Sequence, residues 1–185
     1  MLLPSFNFKH LLSLYKSKHP EESQLVNSFE EFLSSSPHVF ERSHPPGHLT
    51  GSCMLLDPTH QSGLMTHHKK LLRWLQLGGH ADSEQNLYEV CMNEALEESG
   101  IDNIEMLYLE ILDLDCHRIP ARELEPSHFH YDVRFLLQAP HTEFKISEES
   151  LELAWVSLGD KKWEQEASLK RLRNKTLIQL KNLND

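Results

Sequence analysis

From Leu87 to Ile101, the positions 87, 90, 91, 94, 97, 98 and 101 read Leu, Val, Cys, Glu, Glu, Glu, Ile. They follow the i, i+3, i+4, i+7 spacing that places side chains on one helix face. A stripe that begins and ends apolar belongs against a core. This constrains the fold more than any other feature, because the helix must lie on a second layer while carrying three carboxylates mid-stripe. Residues 87–99 form the clearest helix of the chain, with Asn86 as N-cap, Glu89 in a capping-box position and Gly100 at the C′ position. Like charges at these spacings cost roughly 0.2–0.5 kcal/mol per pair. Carboxylates in the last turn also oppose the helix dipole, by ~0.3–1 kcal/mol each. A merely solvated face would gain from Lys or Arg at Glu94, Glu97 and Glu98. Clustered oxygen ligands instead suit a hard divalent cation such as Mg2+, which turns their repulsion into coordination.

Strand and helix patterns alternate around this helix. Residues 7–17 and 21–34 carry apolar residues at helical spacing, and "SHPPGH" at 43–48 then excludes a helix. Residues 1–42 therefore form a helical extension that docks on a main domain spanning 43–185. "HLTGSCMLL" and "SGLMTHH" are strands separated by the turn "DPTHQSG", and "RWLQLGGHADSEQ" is a strand end running into a glycine loop. "EMLYLEILDLDCHRI" and "HFHYDVRFLLQA" are longer strands split by "PARELEPS", and "LELAWVSL" is a short last one. Residues 161–183 are helical, with Leu169, Leu172, Thr176, Leu180 and Leu183 on a stripe. Interleaved strands and helices indicate an α/β or α+β domain.

The formal charge of -10 disfavours nucleic acid and anionic membranes as partners, since both attract basic surfaces. It does not exclude a small phosphorylated substrate, because a metal ion reverses the local potential. Cys53, Cys91 and Cys116 are widely spaced and contain no CxxC pair, which predicts reduced thiols and a cytoplasmic setting. Pro4, Lys9, His10 and Lys16 interrupt the apolar N-terminus, so it lacks the core of a signal peptide. No run approaches the ~20 apolar residues that span a bilayer.

Extended back to the glycines, the helix becomes the end of a longer pattern: Gly79-x14-Glu94-Ala95-x-Glu97-Glu98-x-Gly100-Ile101. This resembles the Nudix box, the signature of the Nudix hydrolases, which runs Gly-x5-Glu-x7-Arg-Glu-aliphatic-x-Glu-Glu-x-Gly-aliphatic. The flanks "THHKKLLRWLQLGGHAD", "HFHYDVRFLL" and "EESLELAWVSL" resemble a bacterial Nudix subgroup. The likeness covers roughly residues 44–160. It departs at Gln85, where the family has Glu, and at Asn93, where the family has Arg. Those positions support the metal ligands in the family, and a neutral Gln–Asn contact is the expected replacement here, with weaker hydrogen bonds than a charged pair.

The resemblance implies an α/β/α sandwich with a mixed β-sheet. It also implies Mg2+-dependent cleavage, with Mn2+ as substitute, of the diphosphate linkage in a nucleoside diphosphate joined to another moiety. Glu94, Glu97 and Glu98, with the backbone of Gly79, would hold the metal, and Glu97 and Glu98 would act in catalysis. In some members the general base is a glutamate in the loop before the last core strand, where this chain has Glu148 and Glu149. Glu149 is the candidate, with Glu98 as an alternative.

Histidine is abundant, with 13 residues. His128, His130, Asp132 and Arg134 alternate with Phe129, Tyr131, Val133 and Phe135, so each set shares one strand face. If the aromatic set faces the core, the polar set lines solvent or a cleft, and His130 and Arg134 become substrate contacts. The resemblance adds His80, which stands at a position often seen in that bacterial subgroup. A zinc site needs further ligands, and no HExxH or CxxC pattern supplies one. Trp74 and Trp155 are expected as buried anchors of the sheet. The rival readings are a Nudix-fold nucleotide-binding or regulatory protein and a zinc-dependent protein using the histidines. The N-terminal helices offer a surface for a homodimer.

Overall fold

In a computed structural model of the chain, the described residues are 6–122 and 126–184. The first residues of the N-terminal stretch and the middle of the "PARELEPS" loop lie outside them. Helix α1 (Phe8–Lys18) is capped by Asn7, whose side chain accepts the His10 N–H at 3.0 Å. A 3-10 turn (Pro20–Glu22) leads into α2 (Ser23–Ser35). Then follow β1 (Gly47–Leu56), β2 (Ser62–His68), β3 (Arg73–Leu75), β4 (Leu77–His80), α3 (Leu87–Ser99), β5 (Glu105–Ile119), β6 (His128–Gln138), β7 (Ser150–Ser157) and α4 (Ala167–Asn184).

Among the described residues the strands form one mixed sheet. Its main path is β3-β2-β1-β6-β5, with β4 paired to β1 and β7 to β2. The β1–β6 pair is parallel and in register from Gly47↔Phe129 to Leu56↔Gln138, and the other pairings are antiparallel. Every residue of β1 is buried. That explains why this central strand carries no charge in a protein so rich in acids, since both its faces are covered.

The two faces of the sheet bury separate apolar clusters. Phe8, Leu12, Tyr15, Val26 and Phe29 of the N-terminal helices share one cluster with Leu87 and Cys91 of α3 and with Val133 and Phe135 of β6. On the other face Met54, Leu56, Met65 and Leu136 meet Trp163, Leu169 and Leu172 at the start of the C-terminal helix. Helices thus cover both faces, giving an α/β/α sandwich. Phe129 departs from the expected core set and is 43% exposed, because Tyr131 is the β6 residue that reaches α2, stacking on Phe32 at 3.9 Å. Trp74 and Trp155 are only half-buried, whereas Trp163, in the polar stretch "KKWEQE", is fully buried.

The layers are joined by charge as well as by apolar contact. Arg134, 2% exposed, donates from Nε to Asp132 at 2.7 Å and from Nη1 to Asp113 at 3.1 Å. Asp113 also accepts from Arg171 at 2.8 Å and from Lys175 at 2.9 Å, both on α4. Lys175 reaches Glu22 at 2.6 Å, and Glu22 accepts the Tyr15 hydroxyl at 2.5 Å. The N-terminal helices, β5, β6 and α4 therefore share one network. Removing its central cation takes the ion pair from buried Asp132, while Asp113 keeps Arg171 and Lys175, and breaking a buried pair in this way costs about 3–5 kcal/mol. Arg134→Met should lower the unfolding free energy by that order in urea titrations. Arg134→Lys should recover little of the loss, because one ammonium cannot reproduce the fork that meets Asp113 and Asp132 together.

Candidate active site

Strand β4 carries the two glycines that precede the acidic helix. It pairs with β1 so that Gly79 lies opposite Gly51, Gly78 opposite Ser52 and His80 opposite Thr50. Gly51 and Gly79 make a shallow trough into which α3 settles. A Cβ at Gly51 would stand 2.9 Å from a methyl of Val90, and one at Gly79 would collide with the Glu94 carboxylate. Helix α3 starts at Asn86, whose side chain accepts the Tyr88 N–H at 3.2 Å. The expected reciprocal contact from Glu89 is replaced by Glu84, which accepts the Asn86 N–H at 2.7 Å. Glu84 is brought over the helix start by a turn closed by its own N–H on the Ala81 carbonyl. The helix ends at Gly100, whose φ of 65° is the left-handed cap expected from the sequence.

The three glutamates of the stripe occupy three environments. Glu98 is 8% exposed and accepts the Gly78 N–H at 2.9 Å. Glu94 is half-buried against Gly79, and Glu97 projects into solvent. Burial, opposed by the Gly78 hydrogen bond and reinforced by Glu94 and Glu149, pushes the Glu98 carboxyl up to about 8. Burial, together with the charges of Glu97 and Glu149, pushes Glu94 up to about 7. Glu149 lies exposed in the loop before β7, where its carbonyl accepts the Lys69 N–H at 2.9 Å. The fold thus brings this residue, about fifty positions away in sequence, into the electrostatic field of the helix carboxylates.

The carboxylates do not converge as tightly as the stripe suggested. The groups of three or more ligand atoms within 4.8 Å of one another, among the described residues, are His48–His128–His130 and His19–Glu21–Glu22, and not the three helix glutamates. Glu98 turns back to the Gly78 N–H, Glu94 lies against Gly79, and Glu97 is exposed. Gln85 and Asn93 are both exposed, and no hydrogen bond joins them, so the neutral contact expected between them is not made.

Arg134, expected to meet substrate, is 2% exposed, and its guanidinium pairs with Asp113, Asp115 and Asp132. His80 and His130 are half-buried, with ring centroids 5.1 Å apart. The residue that sequence reasoning missed is His48. Its ring lies 4.6 Å from His130, 4.9 Å from His80 and 5.0 Å from His128. Burial and the neighbouring histidines lower His130 to about 2 and His48 to about 4, so both rings are neutral. The isolated His at the start of "HLTGSCMLL" gives no local signal, because its neighbours lie about thirty to eighty residues further on.

No family model matches the chain, and no curated protein matches it in sequence. Solved structures do match. A Nudix-family hydrolase from Clostridium perfringens aligns with a TM-score of 0.56 at 22% identity, over 71% of this chain and 97% of that one. The dihydroneopterin triphosphate pyrophosphohydrolase of E. coli aligns with a TM-score of 0.54 at 14% identity, over 72% and 95%. An Ap4A hydrolase from C. elegans aligns with a TM-score of 0.53 at 16% identity, over 72% and 98%. The chain therefore has the Nudix fold, and the segment that resembles the Nudix box lies on its β4–α3 unit. Among the described residues, no helix is long and apolar enough to cross a membrane.

The raised carboxyls make the metal-free protein sensitive to pH. Between the ordinary carboxylate range and about 8, the folded chain holds protons that the unfolded chain has released. Stability therefore falls as pH rises through that window, at about 1.4 kcal/mol per unit of pKa difference at most. In chelator, the thermal midpoint should drop between about pH 5 and about pH 8. Glu98→Gln, which keeps an acceptor for Gly78, should flatten the drop. Added Mg2+ or Mn2+ should raise the midpoint more at the higher pH, since a cation binds the deprotonated form.

Proposed function

We propose that this protein is a divalent-metal-dependent pyrophosphohydrolase of the Nudix type, cleaving the diphosphate linkage of a nucleoside diphosphate joined to another moiety. The observation that carries this reading is the pair Glu94 and Glu98. These are hard oxygen donors packed by α3 against the glycines of β4, with their acidity suppressed by burial and by Glu149. Such a donor set fits a cation, because at neutral pH only added positive charge makes both ionised forms cheap. Two of the structurally similar proteins are named for hydrolysis of Ap4A and for pyrophosphohydrolysis of dihydroneopterin triphosphate, and both names describe this class of reaction.

Glu94, Glu97, Glu98 and the backbone of Gly79 would hold Mg2+, or Mn2+ in its place. When bound, the ion neutralises diphosphate charge and acidifies a water. The chain's own residues do the rest. Glu98, fixed by the Gly78 N–H, holds the glycine strand in register with α3, so that substrate and carboxylates meet at a set distance. Glu149 accepts a proton from the water that attacks phosphorus, and its exposed position returns that proton to solvent. The bond broken is the P–O bond of the anhydride, releasing two phosphate-bearing products.

The test is a panel of nucleotide sugars, dinucleotides, nucleoside triphosphates and coenzyme A derivatives, incubated with Mg2+ or Mn2+. The native chain should release phosphate-bearing products from at least one class, and Glu97→Gln and Glu98→Gln should abolish this. Glu149→Gln should lower kcat by roughly 10²–10⁴ with a smaller change in KM, the range for loss of a general base. Metal-dependent cleavage that survives both helix substitutions would sink the assignment. Tight nucleotide binding without any turnover would replace it with the binding-protein reading.

A further inference from the structure

We propose that His48, His128 and His130 form a separate transition-metal site, for an ion of the Zn2+ class, on the sheet face opposite α3. One nitrogen from each ring lies within 4.8 Å of the others. The Nε2 atoms of His128 and His130 are 3.2 Å apart. Two nitrogens on one tetrahedral Zn2+, each at ~2.0–2.1 Å, stand about 3.3 Å from one another.

A simple imidazole–imidazole hydrogen bond explains that one distance but not His48. His48 is 2% exposed, and neither of its ring nitrogens has a hydrogen-bond partner. Such orphaned buried groups are costly, because they have given up water without gaining a partner. A metal ion supplies the missing partner for one of the nitrogens.

The protonation pattern is also that of a ligand set. His128 Nδ1 lies 2.9 Å from the Pro126 carbonyl, which can only accept, so Nδ1 carries the proton and the Nε2 lone pair points to His130. Backbone carbonyls and carboxylates behind metal-binding histidines fix the tautomer in this way. His117, with its ring 5.5 Å from His130, is held similarly by Asp115, 2.9 Å from its Nδ1. His80 and His117 stand beside the three ligands, with ring centroids 5.1 and 5.5 Å from His130.

Strand register separates this site from the carboxylates. His48 pairs with His130 on the neighbouring strand, and Thr50 pairs with His80. Side chains alternate along a strand, so these residues face away from the side on which Gly51 and Gly79 receive α3. The inference therefore does not depend on the hydrolase reading.

The test uses the full chain, stripped with chelator and titrated with Zn2+ against a chromophoric competitor, with Co2+ as a spectroscopic probe. The native chain and Glu98→Gln should take up Zn2+ with the same affinity, and Co2+ should give visible bands typical of tetrahedral nitrogen ligation. His128→Gln and His130→Gln should each weaken Zn2+ binding by at least about tenfold, the scale for losing even a residue that supports a ligand. Both residues are only half-buried, and unfolding in chelator checks that the variants fold. A native chain that takes up no Zn2+ overturns the proposal. So does unchanged affinity in both histidine variants, or binding that is lost with Glu98→Gln instead.

Discussion

The close approach of α3 to the sheet is the constraint on which the candidate active site depends. Gly51 and Gly79 are opposed across two strands, and together they remove the side chains that would hold the helix away. Only then can Glu98 reach the Gly78 N–H and Glu94 lie against backbone. That closeness dehydrates the two carboxylates and raises their proton affinity. The geometry that packs these carboxylates thus makes their ionised forms electrostatically unfavourable. The helix tolerates this because apolar residues at both ends of the stripe, Leu87 and Ile101, are fully buried.

The opposite sheet face is organised by a different rule. Near α4, β5 and β6 present Asp113, Asp132 and Arg134, which are satisfied internally together with Arg171 and Lys175. Thr50 and Ser52 of β1 complete the coordination of Asp132 at 2.8 and 2.6 Å. Further along the same strands the charged pairs give way to imidazoles. These are neutral where buried, so they crowd without the repulsion that ammonium or guanidinium groups would suffer. One sheet face therefore carries a closed ion network that fastens the N-terminal helices and α4, and beyond it a cluster of nitrogen donors whose needs are not all met.

Much of this was legible in the sequence. The acid stripe, the cap residues Asn86 and Gly100, the strand runs and the spacing from Gly79 to Ile101 are local, and local periodicity is what a sequence displays directly. What misled was equally local. Alternation along β6 placed Arg134 with His130 on one face, which is correct. It could not say that this face is closed by α4 at one end and open at the other. Glu89 sat at the proper capping offset, yet Glu84 made the contact, because a turn outside the helix decided which side chain came back over it.

By itself, the sequence determined the helix that carries Glu94, Glu97 and Glu98, the glycines that precede it and the layered α/β architecture. These follow from side-chain period, backbone freedom at glycine and the helix dipole, none of which needs a distant partner. Tertiary structure alone decided that Glu149 enters the field of the helix carboxylates, that Arg134 is spent on buried aspartates, and that His48 joins His128 and His130. Each of these depends on strand pairing, β1 with β6 or β5 with β6, or on a loop returning to a helix end. Contacts between residues some twenty to eighty positions apart leave no periodic mark on the chain that makes them.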